Sequence, residues 1–166
     1  MSKKITENPK TEKESPVDDP NLNLWVLLDQ TRDVISKARE LELAHYKLSR
    51  VQAATLFMLL VVNKELTISE ISNWNIREPN SVLSLINRME KLGLVQKIRD
   101  PDDDKIKIVA TEKGRESYLN ASRMSIEMIF SILSDEEKQQ LGSSLKKLRS
   151  KARELLGVDF KPPFLP

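Results

Sequence analysis

The chain has 166 residues, enough for one domain with extensions, and its 39% apolar and 31% charged residues suit a globular protein rich in surface helices. A formal net charge of +2 excludes a general basic coat, so any nucleic-acid surface must be a local patch. There is no cysteine, which excludes disulfides and thiolate metal sites, and one histidine and four glycines offer little to a zinc site, a catalytic triad or a Gly-rich phosphate loop.

Residues 1–20, MSKKITENPKTEKESPVDDP, are polar, charged and Pro-containing, and predict a flexible tail. They lack the apolar core of a signal segment, and no later run approaches the roughly 18 apolar residues of a membrane span. A cytoplasmic protein without a membrane partner is expected. From Leu24 to Leu48 apolar positions recur at helical spacing, including Leu27, Leu28, Val34, Ile35 and Leu41. They predict one long amphipathic helix over 21–48.

Three S/T-x-x-E/Q patterns then mark helix starts: Ser49 with Gln52, Thr67 with Glu70, and Ser134 with Glu137. In each, the first side chain accepts from an orphan N–H and the later one reaches back. The first opens VQAATLFMLLVV, apolar nearly all round and therefore buried. The second opens the short TISEISNWN. The third opens a helix whose Leu141, Leu145, Leu148, Ala152 and Leu155 form a short coiled-coil-like seam.

Between the second and third lies EPNSVLSLINRMEKLG, with Pro79 suited to the first helical turn and Gly93 to the stop. On a helical wheel Val82, Leu85, Ile86, Met89 and Leu92 gather on one side. Asn80, Ser84, Asn87 and Lys91 gather on the other, with Ser81 and Arg88 on one flank and Leu83 on the opposite flank. VQKIR and KIKIV alternate as strands do, and DPDDD between them supplies turn chemistry. Thr111 is placed to cap the next helix, expected to run to about Leu133.

Three helices followed by a two-stranded hairpin make a winged helix-turn-helix, so the fold class is mainly α (α+β). The expected organisation is a tail at 1–20, a dimerisation helix at 21–48 and a winged helix-turn-helix unit at 49–111. C-terminal dimerisation helices at 112–158 and a tail at 159–166 complete it. The flanking helices carry apolar stripes that so small a unit cannot cover, most simply matched by a second copy through Leu24, Leu27, Leu28, Leu141, Leu145, Leu148 and Leu155.

The candidate DNA-binding residues follow from this placement. Asn80, Ser81, Ser84 and Asn87 face outward on the helix that would enter the major groove, where Asn suits adenine edges and Ser suits several bases. Arg77, Arg88, Lys97, Arg99, Lys105 and Lys107 would meet phosphates. Seven cations face six anions between 77 and 107, a thin excess for a DNA clamp. Asp100, Asp102, Asp103 and Asp104 lack the glycine and glutamate of a calcium loop and read as a turn. Trp25, Tyr46, Phe57 and Met58 read as packing residues, and so does His45, with a ligand or pH role as its alternative. No cofactor, metal site or catalytic residue is expected, and the chain is not read as an enzyme.

The stretch LINRMEKLGLV (Leu85 to Val95), followed by RDPDDDKIKIVATEKG, resembles the MarR family, the multiple-antibiotic-resistance-type regulators. Members carry a "dRLekkGLv" segment, a "dp.DrR" hairpin tip and an "LTekG" exit. The resemblance spans roughly residues 22 to 157. It implies a homodimeric, ligand-responsive transcription regulator with double-stranded DNA as partner, and a small aromatic or lipophilic effector held between the dimer helices and the winged helix. Three departures stand out. Asp104 occupies the place of the family's wing arginine, with Lys105 the nearest cation. Leu83 and Ser84 replace the threonine and arginine common on the recognition helix. Asn75 stands where an apolar residue is usual, with Trp74 beside it to fill the space. A winged helix serving protein contacts alone is the rival expectation.

Overall fold

A computed structural model describes residues 18–62, 65–99 and 105–158. The aspartate turn, most of the N-terminal tail and the C-terminal tail lie outside the described residues. The described chain runs α1 (Pro20–Ala44), α2 (Arg50–Val62), β1 (Leu66–Thr67), α3 (Ile68–Asn75), α4 (Pro79–Lys91), β2 (Val95–Arg99), β3 (Ile106–Ala110), α5 (Glu112–Leu119), α6 (Met124–Phe130) and α7 (Asp135–Leu156). Two compact units divide within α1, after Ser36. Pro20, assigned to the tail from sequence, is the first residue of α1. The Asp19 carboxylate accepts from the N–H groups of Asn21 (2.8 Å) and Leu22 (3.3 Å).

All three capping boxes form. Ser49, Thr67 and Ser134 accept from the N–H three residues on, and Gln52, Glu70 and Glu137 return a bond to the cap N–H. Pro79 opens α4 as expected, and Gly93, at φ +72°, closes it. Leu94 N–H reaches back to Met89 O (2.9 Å), and both side chains are buried.

The same closure ends α1 earlier than its apolar pattern suggests. Lys47 takes the left-handed conformation (φ 57°), and Leu48 N–H returns to Leu43 O (3.1 Å). Leu43 and Leu48 are then both buried, so Leu48 packs as a staple beyond the helix and not as its last turn. His45 and Tyr46, expected to pack, are exposed in this turn, and Trp25 is exposed on α1.

The helix expected to run from Thr111 to Leu133 is two helices, broken at Asn120–Arg123. Polar contacts to α1 fix the break. Arg39 donates to Ser122 O, and Glu42 accepts from the N–H of Ser125 (3.2 Å) and from its hydroxyl. Arg39 and Glu42 also pair with each other at 2.5 Å and are only 13% and 11% exposed. A straight helix would leave these two groups buried with only each other as partner.

The sheet has three strands in the order β1-β3-β2, where sequence suggested a two-stranded hairpin. β2 and β3 pair antiparallel with Val95 opposite Ala110 and Arg99 opposite Ile106, while Leu66 sits opposite Ile108. Beneath the sheet, Leu56, Ile71, Val82, Ile86, Met89, Val95 and Ile108 are fully buried and join α2, α3, α4 and the strands in one core. α5 docks on this core. Phe57 on α2 meets Tyr118 with ring centroids 6.2 Å apart. Gly114 passes so close to the chain after α4 that a Cβ would lie 2.0 Å from Leu94 O.

Candidate nucleic-acid interface

The inner face of α4 is the one the wheel predicts. Val82, Leu85, Ile86 and Met89 are buried, while Leu92, assigned to that face from sequence, is 49% exposed just past the helix. Asn80, Ser81, Ser84, Asn87, Arg88 and Lys91 are all exposed. The expected readout residues therefore share one accessible side of one helix.

Their hydrogen-bonding freedom differs. The Asn80 amide has no partner among the described residues. The Ser84 hydroxyl donates to Asn80 O one turn back (3.0 Å), so its proton is engaged. Asn87 Oδ1 accepts from Lys97 Nζ (2.6 Å), which also bonds Glu90 (2.7 Å). Lys97 is thus a brace between β2 and α4, and its ammonium holds the Glu90 carboxyl below the usual carboxylate range. Lys107 likewise pairs with Glu65 at 3.4 Å.

A second feature lies on the other flank of α4. Ser49 and Gln52, at the start of α2, face Arg77, Ser81, Arg88 and Lys91 across an open groove of about 620 Å³. The side chains of Arg77, Arg88 and Lys91 form no ion pair among the described residues, and no carboxylate lines the groove. Positive charge and a helix N-terminus converge here, a setting that suits an anion. Sequence reasoning placed Arg77 and Arg88 but treated Ser49 and Gln52 only as a cap. Nothing in the residue order shows α2 starting beside α4. Arg99 and Lys105, on either side of the undescribed turn, are exposed at the hairpin edge.

The family model for a winged helix DNA-binding domain matches residues 48–114, the span from the end of the α1 turn to the first turn of α5. Solved structures share the wider fold. The organohalide-sensing transcriptional regulator RdhR-CbdbA1625, in its 2,4-dichlorophenol-bound form, is 28% identical, with a TM-score of 0.72 over 88% of this chain and 89% of its own. A MarR family protein from Bacillus stearothermophilus is 26% identical, with a TM-score of 0.65 over 78% and 93%. Residues 48–114 are a winged helix DNA-binding domain, and the wider fold is that of MarR-type transcription regulators. The S. aureus MepR–DNA complex has the same fold, with a TM-score of 0.71 over 81% of this chain and 99% of that one, at 20% identity. No curated protein sequence matches this chain.

The described secondary structure extends beyond the winged helix on both sides, through α1 and through α6 and α7. Among the described residues no helix is long and apolar enough to cross a membrane, and no group of acidic or histidine side chains has the arrangement of a metal site. Regulators of this type are not enzymes, and the sequence reading of a non-enzyme agrees with that assignment.

Proposed function

We propose that this MarR-type regulator works in the cytoplasm as a homodimeric, ligand-responsive repressor on a pseudo-palindromic DNA site. The exposed polar face of α4, flanked by Arg77, Arg88 and Lys91, which form no ion pair among the described residues, carries the reading. Asn80, Ser81, Ser84 and Asn87 would meet base edges in the major groove. Arg77 and Arg88 would seat phosphates along the α2–α4 groove, and Lys97, Arg99, Lys105 and Lys107 would follow the backbone beside it.

Pairing is supported by apolar surface that monomers rarely leave open. Leu24 and Leu27 on α1 are more than 60% exposed, and Leu141, Leu145, Leu148 and Leu155 form an uncovered line along α7. Covering both with a second copy would set two α4 helices about 34 Å apart, one turn of duplex. A small aromatic or lipophilic effector would bind the dimer whose helices are wrongly spaced, so that DNA and ligand oppose one another through one equilibrium. The dichlorophenol-bound relative supports that ligand class.

Gel shifts with genomic fragments at several salt concentrations test this. Asn80→Ala should relax sequence preference, and Arg88→Ala should weaken binding to every duplex and flatten the salt slope. A duplex affinity no better than background would favour the rival reading, a protein partner engaging the exposed Leu83 side of α4.

A further inference from the structure

We infer that the recognition surface of α4 is built for A·T pairs, with Leu83 reading the methyl group of thymine. This rests on the proposal that α4 enters the major groove. In that groove the four base pairs differ in donors, acceptors and one methyl group. Guanine is met by a cation aimed at its two acceptors, cytosine by a carboxylate, adenine by a side-chain amide, and thymine by an apolar surface against its methyl.

Over residues 79–89 the outer face of α4 offers the last two and not the first two, and Lys91 beyond them lines the groove toward α2. Asn80 lies in the first turn, exposed, its amide without a partner among the described residues. Leu83 lies one turn on, 41% exposed on the same side of the helix as Asn80 and Asn87. Ser84 beside it has already given its proton to Asn80 O, and Asn87 is tied through its oxygen to Lys97. No carboxylate stands among 79–89. The one arginine there, Arg88, lines the groove toward α2 and not the front. The two groups left unengaged at the front, an amide and an isobutyl group one turn apart, match the two sides of an adenine–thymine pair or of neighbouring pairs. An exposed leucine at such a place has no core to fill: the inner face is complete with Val82, Leu85, Ile86 and Met89.

The test uses the full-length protein and a random duplex library. Duplexes that the protein enriches are resynthesised with deoxyuridine in place of every thymidine, which removes the methyl groups and leaves pairing and charge intact. The wild-type chain should bind the uridine duplex about fourfold more weakly for each methyl contacted, the value of one buried methyl-sized group. Leu83→Ala, at an exposed position, should fold normally. It should bind the thymine duplex as weakly as wild type binds the uridine form, with no further loss on the uridine form. Asn80→Ala should lose the preference for adenine at one position of each half-site. Equal wild-type binding to both duplexes, or an undiminished methyl effect in Leu83→Ala, overturns the inference while leaving DNA binding in place. Failure to enrich any duplex overturns the DNA-binding reading as well.

Discussion

Replacing Glu42 with glutamine should remove a pH-dependent share of stability that can be worked out from its surroundings. Burial pushes this carboxyl upward, but hydrogen bonds from the side chains of Ser125, Ser122 and Arg39 and from Ser125 N–H outweigh it, so the pKa is lowered from 4.5 to about 2. At about 1.4 kcal/mol per pKa unit, that displacement corresponds to about 3 kcal/mol favouring the folded chain. The folded pKa is the lower one. The contribution is therefore complete above the unfolded value and is lost as pH falls from 4.5 toward 2. Glutamine keeps the shape and one acceptor but carries no titrating charge. Urea unfolding at fixed protein concentration, in pH steps from 7 to 2, should show wild type more stable than Glu42→Gln by about 3 kcal/mol at neutral pH. The gap should close across the acid window. A gap that stays constant with pH would refute the argument, because the carboxylate would then owe nothing to its charge.

Three further outcomes follow from the packing and the proposed pairing. Gly114→Ala would set a Cβ 2.0 Å from the Leu94 carbonyl, so thermal unfolding should show a loss of about 2–3 kcal/mol despite alanine's better helix propensity. Ile76→Gly should stabilise by about 1 kcal/mol, because a β-branched residue there is held left-handed at φ 49°, and a destabilised variant would contradict the strain. Leu148→Glu places a carboxylate in the α7 seam and should yield monomers in sedimentation equilibrium, and an unchanged assembly would remove α7 from the interface.

Much of this fold was legible because its signals are local. Each capping box needs only four consecutive residues, and each formed. The apolar spacing of Val82, Leu85, Ile86 and Met89 fixed the inner face of α4, and with it the outward set Asn80, Ser81, Ser84, Asn87 and Arg88. What escaped depends on contacts distant in sequence or on unusual residues in ordinary roles. Lys47 and Ile76 take left-handed conformations that glycine usually signals, so the ends of α1 and α3 carry no such mark. The break after α5 is set by Arg39 and Glu42, 83 residues before their partners. β1 has two residues, too few for an alternation, and one of them is already spent as the α3 cap. In the candidate site, exposure was readable but engagement was not. The bracing of Lys97 by Glu90 and Asn87 appears only when β2 folds beside α4, as does the meeting of the α2 start with Arg77 and Arg88.

Hydroxyl-radical footprinting of the full-length protein on an enriched duplex, with the bound stoichiometry measured in parallel, tests the central proposal most directly. Two protein chains per duplex and two symmetric protected patches, centred about one helical turn or 34 Å apart, are the expected result. A single patch occupied by one chain would contradict it.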